Sequence, residues 1–188
     1  MADAAEEVAG LADRVIRLKW PNDLVVEGLD GGGVRKLAGL LGETSGLGTA
    51  RPQAIVGLGI NADWAPAAFP PELVGSMTSL REASGGRPVD LAALLDAFLG
   101  RLEVRVEALR DGRFDVADWT ERQLTTGRDV TIAGHEGRSD TLRALGVDAH
   151  SGALVVEDPG SATGERPVLV GEIVHVRLAD PAVATSAV

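Results

Sequence analysis

Two lysines, an amide and a carboxylate lie near the start of the sequence and could together handle an anionic reactant. Residues 19–23 read Lys-Trp-Pro-Asn-Asp, and residues 36–43 read Lys-Leu-Ala-Gly-Leu-Leu-Gly-Glu. The glycine-rich stretch 28–33 between them supplies the positive φ angles that a hairpin turn demands. A hairpin would bring Lys19, Asn22, Asp23 and Lys36 together, which predicts contact with a carboxylate or phosphate group.

Each of these residues also has a plainer interpretation. Pro21 ends a strand, so Asn22 and Asp23 could be ordinary turn-forming residues. Lys36 could lie on a strand face with its ammonium group in water. Gly39 is consistent with a β-bulge or with a ligand that approaches the backbone closely. The residues taken alone leave both interpretations open.

Composition limits the classes of protein and site. The chain has 188 residues, 45% of them hydrophobic, a formal net charge of −10 and no cysteine. These values indicate a globular protein without disulfides or thiolate sites, and they argue against general affinity for nucleic acid. No apolar run approaches the roughly 18 residues of a membrane span, and the acidic N-terminus is no secretory signal. We therefore expect a cytoplasmic protein with neither a nucleic-acid nor a membrane partner. The three histidines form no metal-ligand pair.

Hydrophobic periodicity predicts an α+β protein, with a mixed sheet packed by helices and then a small β-barrel. Before residue 125 the predicted helices cover 3–14, 90–110 and a short segment around Trp119, and the predicted strands cover 15–20, 24–27, 34–41 and 53–61, the last of them buried. The long helix begins at Asp90 and carries one apolar stripe, formed by Leu91, Leu94, Leu95, Phe98, Leu102, Val106 and Leu109. Five short strands follow at 129–133, 141–148, 153–157, 168–170 and 172–178.

Two nucleotide-binding motifs fail on inspection. Residues 57–62 satisfy the dinucleotide pattern with alanine in the last place, but prolines follow where a helix would have to begin. Gly28 and Gly33 have Walker spacing, but Val34 and Arg35 replace the Lys-Ser/Thr pair. Neither a Rossmann nor a P-loop site is predicted.

The order and spacing of three motifs resemble those of the biotin–protein ligases. They are Lys-Trp-Pro-Asn-Asp at 19–23, Lys-Leu-Ala-Gly-Leu-Leu-Gly-Glu at 36–43 and Val-Gly-Leu-Gly-Ile-Asn at 56–61. The resemblance extends over most of the chain and implies an incomplete class II synthetase-like catalytic domain at 1–125, an SH3-like barrel at 126–180 and a tail at 181–188. Lipoate ligases share the core fold, but the first motif and the barrel are similar to the biotin branch.

The resemblance implies a two-step reaction, in which biotin and ATP form biotinyl-AMP and a lysine of a biotin carboxyl carrier domain takes the biotinyl group. Magnesium would be held largely by the phosphates, and no protein metal ligand is assigned. Lys36 and Asp23 are the implied catalytic residues. The implied substrate-binding residues are Lys36, Gly39, Leu40, Asn61, Gly59, Lys19 and Asn22. Glu172 is implied as a contact from the C-terminal domain.

The resemblance implies about half a domain more before Lys19, with biotin-binding strands and a Gly/Arg-rich loop, and this N-terminal half is missing from the sequence. No Gly/Arg-rich loop and no helix-turn-helix precede Lys19. A truncated gene model, a fragment or a split or degenerate protein would each explain this. A non-catalytic relative that binds nucleotide or carrier domain is the alternative to a ligase, and an SH3-like interaction module is a third interpretation. We expect the chain alone to expose an apolar sheet edge, to be unstable or oligomeric and to have little ligase activity.

Overall fold

A computed structural model of the protein describes residues 1–29, 33–46, 48–49, 51–134, 139–169 and 173–178. The chain divides into two units, Met1–Arg122 and Gln123–Val188, close to the boundary predicted at residue 125. We describe each unit by itself. Glu172 and the predicted tail at 181–188 lie outside the described residues.

The first unit is an antiparallel sheet with helices. Its sheet has the order β1-β2-β3-β4, so the chain runs back and forth between neighbouring strands. The elements are α1 (Ala2–Ala9), β1 (Ile16–Lys19), β2 (Asp23–Glu27), β3 (Val34–Ser45), β4 (Gln53–Ile60), α2 (Leu80–Ala83), α3 (Leu91–Arg110) and α4 (Val116–Glu121).

Local signals in the sequence account for the main boundaries. The carboxylate of Asp90 accepts hydrogen bonds from the backbone N–H groups of Ala92 and Ala93, so the predicted cap of the long helix is confirmed. Gly10 adopts φ 61° at the end of α1, a conformation that costs glycine little. β2 and β3 form the predicted antiparallel pair.

The core of the first unit lies between the sheet and the helices. Ile16, Leu24 and Leu37 from three strands pack in one buried cluster with Ala5 of α1 and Leu80 of α2. Full burial of a Leu or Ile side chain contributes about 1.5–3 kcal/mol. This cluster occupies one face of the sheet. The opposite face carries Asp23 and Lys36 together with Val25, and we call it the polar face.

One sequence prediction about burial is wrong. β4 was predicted to be buried, yet it is the edge strand, and Ile55 and Val56 are 67% and 64% exposed. On α3, Leu94 is the buried member of the apolar stripe, whereas Leu91, Leu95, Leu102 and Leu109 are exposed. The exposed apolar sheet edge expected from the sequence is present at Leu41, Ile55 and Val56.

The second unit is a five-stranded antiparallel sheet with the order β8-β7-β6-β5-β9. Its strands are β5 (Asp129–Gly134), β6 (Ser139–Val147), β7 (Leu154–Glu157), β8 (Glu165–Val168) and β9 (Ile173–Leu178). β8 begins three residues before its predicted position and contains Pro167, which an edge strand tolerates. The predicted α+β class is confirmed. Among the described residues, no helix is long and apolar enough to cross a membrane.

Candidate active site

Lys19, Asp23 and Lys36 form one ion-pair cluster on the sheet. The Nζ atom of Lys36 lies 2.6 Å from Oδ1 of Asp23, and the Nζ atom of Lys19 lies 3.4 Å from Oδ2. The side chains of Lys19 and Asp23 are 14% and 15% exposed, whereas that of Lys36 is 41% exposed. These are the two lysines of the sequence, which otherwise uses arginine for its cations. Lys36 is therefore the cation of this cluster that an anionic ligand can reach.

A β-bulge places Lys36 on the face that carries Asp23. Leu24 pairs with Ala38, but the next residue, Val25, pairs with Lys36. Regular pairing would instead set Lys36 opposite Val26, on the core face, because side chains alternate along a strand. The extra residue at the bulge thus turns the lysine from the core to the polar face. The sequence allowed for a bulge near Gly39 but did not locate it.

The loop before α2 holds the backbone of Lys36 from the other side. The N–H group of Lys36 donates to the carbonyl oxygen of Ser76 at 2.8 Å, and that of Thr78 donates to the carbonyl oxygen of Lys36 at 2.9 Å. The side-chain amide of Asn61 donates to the carbonyl oxygen of Thr78 at 3.0 Å. Sequence reasoning missed residues 76–78, since no local pattern marks a loop that pairs with a distant strand.

Hydrogen bonds between Asn22 and Leu40 hold the turn after β1 against β3. The side-chain amide of Asn22 donates to the carbonyl oxygen of Leu40 at 2.6 Å, and the N–H group of Leu40 donates to the carbonyl oxygen of Asn22 at 2.9 Å. The side chain of Leu40 faces a cavity of about 270 Å³ that Leu18 and Leu24 also line. Because Leu24 belongs to the core face, the side chain of Leu40 lies on the opposite side of the sheet from Lys36.

Next to Lys36, glycines leave the polar face of the sheet without side chains, and we call this exposed backbone the glycine floor. In the pairing of β2, β3 and β4, Asp23 lies opposite Gly39, and Gly39 lies opposite Gly59. Gly57 is two residues before Gly59, so it presents the same face. A Cβ atom at Gly59 would meet no heavy atom within 4 Å. A ligand can therefore lie directly on the backbone of β3 and β4, with one end at the Lys36 ammonium group.

Gly39 also leaves room for the lysine itself. A Cβ atom at Gly39 would lie 3.1 Å from Nζ and 3.2 Å from Cε of Lys36. Because these atoms are the far end of a flexible side chain, Gly39→Ala should displace the ammonium group without unfolding the protein. We expect stability within about 0.5 kcal/mol of wild type and a loss of affinity for an anion such as pyrophosphate of about tenfold or more, the scale of one charge-assisted hydrogen bond.

Gly42→Ala is the matched control for this prediction, measured by calorimetric titration with pyrophosphate and by chemical denaturation. Gly42 lies on the same strand, and a Cβ atom there would meet nothing within 4 Å. Equal affinity for pyrophosphate in the two variants would show that the space over Gly39 does not affect anion binding.

The structure thus brings most of the predicted site residues together on the sheet. Lys19, Asp23, Lys36, Gly39 and Gly59 share one face, and Asn22 and Asn61 fix the backbone around it. Glu172 lies outside the described residues. Among the described residues, no group of three or more His, Asp or Glu side chains could hold a metal ion. The arrangement suits recognition of an anionic group by a positioned ammonium.

Comparison with known proteins supports one family. No family model matches the chain. The sequence is 34% identical over 154 residues to the bifunctional ligase/repressor BirA of Bacillus subtilis (strain 168), and the match covers 81% of this chain. The protein of the same description from Bacillus spizizenii is 34% identical over 142 residues, 74% of this chain. This chain is a relative of the biotin–protein ligases.

Solved structures of biotin–protein ligases have the same fold. The enzyme of Aquifex aeolicus in complex with biotin and ATP has a TM-score of 0.71, and its apo structure also has a TM-score of 0.71. Each is 23% identical and covers 95% of this chain, and this chain covers 67% and 71% of them, respectively. The chain spans 44% and 41% of the two Bacillus relatives. The resemblance to the biotin–protein ligases inferred from the sequence is confirmed.

Proposed function

We propose that this chain carries the phosphate- and carboxylate-binding part of a biotin–protein ligase, followed by an SH3-like domain. The observation that carries the proposal is the ammonium group of Lys36, held by Asp23 beside the glycine floor at Gly39 and Gly59. The reactants would be biotin and ATP, and the acceptor would be a lysine of a biotin carboxyl carrier domain.

In the first step, a carboxylate oxygen of biotin attacks the α-phosphorus of ATP. The bond from that phosphorus to the oxygen bridging to the β-phosphate breaks, and pyrophosphate leaves with the electron pair. Lys36 would bring the two anionic groups together and stabilise the charge that develops on the phosphate. Lys19 adds positive charge behind Asp23 and keeps the carboxylate in place. The product is biotinyl-AMP.

In the second step, the ammonium group of the acceptor lysine gives a proton to solvent, and the resulting amine attacks the acyl carbon of biotinyl-AMP and passes its second proton to solvent as the amide forms. The bond from that carbon to the phosphate oxygen breaks, and AMP leaves. When Lys36 moves to the bound anion, Oδ1 of Asp23 is released from its 2.6 Å contact and can accept a hydrogen bond from the incoming amine. Asp23 would thereby orient the acceptor.

Magnesium would be bound by the phosphates of ATP. Both oxygens of Asp23 contact lysine ammonium groups, at 2.6 and 3.4 Å, so this carboxylate does not fit a metal-ligand set in the observed arrangement. We derive no step through the metal.

A second candidate function is binding of nucleotide or carrier domain without turnover. The exposure of Lys36 favours it, because 41% of that side chain faces solvent and a reactive mixed anhydride needs a site that excludes water. This candidate predicts binding of biotin or ATP without release of pyrophosphate.

The deciding experiment incubates the protein with biotin, ATP, magnesium and a purified biotin carboxyl carrier domain. Mass spectrometry of the carrier domain measures the added biotinyl group, and calorimetry measures the binding of each small molecule. A ligase modifies the acceptor lysine, and leaving out ATP abolishes the modification. Binding without modification selects the second candidate. Neither binding nor modification would overturn both proposals.

A further inference from the structure

Glu82 lies in a largely buried hydrogen-bond network next to the backbone of Lys36. One carboxylate oxygen of Glu82 accepts from Nη1 of Arg35 at 2.7 Å, and the other accepts from Oγ1 of Thr78 at 2.9 Å. The side chains of Arg35 and Glu82 are 11% and 13% exposed, and Thr78 is fully buried. Glu82 therefore connects two separate segments of the chain.

Both of its partners adjoin Lys36. Arg35 precedes Lys36 in β3, and Thr78 donates its N–H group to the carbonyl oxygen of Lys36 at 2.9 Å. If Glu82 released Thr78, the loop that pairs with Lys36 would lose a side-chain anchor. If it released Arg35, the largely buried guanidinium group of this residue, which precedes Lys36, would lose this ionic partner. Either change would alter the backbone position from which the lysine reaches Asp23.

The plainest alternative is that Glu82 simply stabilises the start of α2. Ser79 caps this helix, and its Oγ atom accepts from the N–H group of Glu82 at 3.1 Å, as in a capping box. A capping-box glutamate would return its carboxylate to the backbone N–H of the cap residue. The carboxylate of Glu82 instead contacts the side chains of Arg35 and Thr78, and a helix cap requires neither contact.

A buried ion pair contributes little net stability compared with an apolar pair of the same shape. The two contacts of Glu82 instead hold Arg35 and Thr78 to one carboxylate. We infer that Glu82 is a positioning residue, which holds Lys36 at the bulge so that its ammonium group stays on Asp23 and over Gly39. The inference rests on the proposed function for its catalytic consequence, although the positioning itself can be tested without any activity.

The first test uses the fact that the sequence contains two lysines. A small amine-reactive ester labels the folded protein, and mass spectrometry gives the rate at Lys36 relative to Lys19. In Glu82→Gln the ammonium group of Lys36 should leave Asp23 more often, which raises this ratio by about threefold or more, the factor expected for loss of a partly exposed ion pair. An unchanged ratio in folded Glu82→Gln would overturn the inference.

Glu6→Gln is the matched control, because Glu6 is also a buried carboxylate paired with an arginine but does not contact residues 35–36 or 76–78 in the described hydrogen bonds. It should lower stability and leave the labelling ratio unchanged. If Glu82→Gln does not fold, Thr78→Val and Thr78→Ser replace it. The valine variant loses the hydroxyl group and should raise the ratio, and the serine variant keeps it and should restore the wild-type ratio. Equal ratios in these two variants would also overturn the inference.

The second test measures biotin-dependent pyrophosphate exchange. Glu82→Gln should lower kcat/KM about tenfold, the scale expected when a reacting group is misplaced, while Glu6→Gln should retain the wild-type value below its melting temperature. If the wild-type protein shows no exchange, the ligase candidate fails, but the labelling ratio still decides whether Glu82 positions Lys36. If exchange occurs and Glu82→Gln matches wild type in both assays, the positioning inference alone fails.

Discussion

Lys36→Met should lower the rate of biotin-dependent pyrophosphate exchange into ATP by about 10²–10³-fold, the usual loss when one preorganised electrostatic donor is removed. Methionine keeps the unbranched apolar stem of the lysine and removes the ammonium group. The fold should be retained, because the cation that is lost is 41% exposed and its role in the core is small. The effect should therefore appear in the rate and not in the melting temperature.

The control for Lys36→Met is Arg113→Met, which removes an exposed cation paired with Asp111 at 2.8 Å. It should leave the exchange rate unchanged. Retention of wild-type exchange in Lys36→Met would show that the lysine assignment is wrong, even if the protein is a ligase.

Arg122→Met should destabilise the first unit by about 3–5 kcal/mol, the cost of leaving a buried charge without its partner. Nη1 of Arg122 donates to both carboxylate oxygens of Glu6 at 3.0 Å and to the carbonyl oxygen of Ile16 at 3.0 Å. The side chains of Arg122 and Glu6 are 6% and 5% exposed. The network ties α1 and β1 to the end of the unit.

Urea denaturation followed by tryptophan fluorescence measures this loss, since Trp20, Trp64 and Trp119 all belong to the first unit. Arg113→Met serves again as the control. Its ion pair is more than 60% exposed on both side chains, so its removal should change stability by less than about 0.5 kcal/mol. Equal losses in the two variants would contradict the structural role of the Arg122 network.

The sequence predicted those parts of the fold that depend on local signals. Asp90 caps α3 as expected, and β2 and β3 form the expected antiparallel pair. The predicted burial of β4 is wrong because the apolar run from Ile55 to Ile60 looks the same in a central strand and in an edge strand. Strand order is a tertiary property, and here β4 has a strand neighbour on one side within the described sheet.

Within the site, the types of the key residues were predictable and their arrangement was not. The sequence indicated a cluster of Lys19, Asp23 and Lys36, and the structure brings these three together. Their common face depends on the bulge between Leu24 and Val25, which shifts the register by one residue and has no local sequence signature.

The sequence also did not predict the residues that contact the Lys36 region from far along the chain. Thr78 and Glu82 act on Lys36 from more than 40 positions away along the chain, through backbone pairing and a buried ion pair. Gly57 and Gly59 belong to a dinucleotide-like motif that no helix follows. Because the two glycines are two residues apart in β4, both lie on its polar face. The period of a strand explains these glycines better than a loop motif does.

The position of Lys36 in a complex with a non-hydrolysable biotinyl-AMP analogue tests the proposed site most directly. A crystal structure of that complex should show the Nζ atom of Lys36 at about 2.7–3.2 Å from a carboxyl-derived or phosphate oxygen of the analogue, with the ligand lying over Gly39 and Gly59. A complex in which the analogue binds elsewhere, with Lys36 still on Asp23 and no ligand oxygen within hydrogen-bond distance, would contradict the proposed function of the cluster.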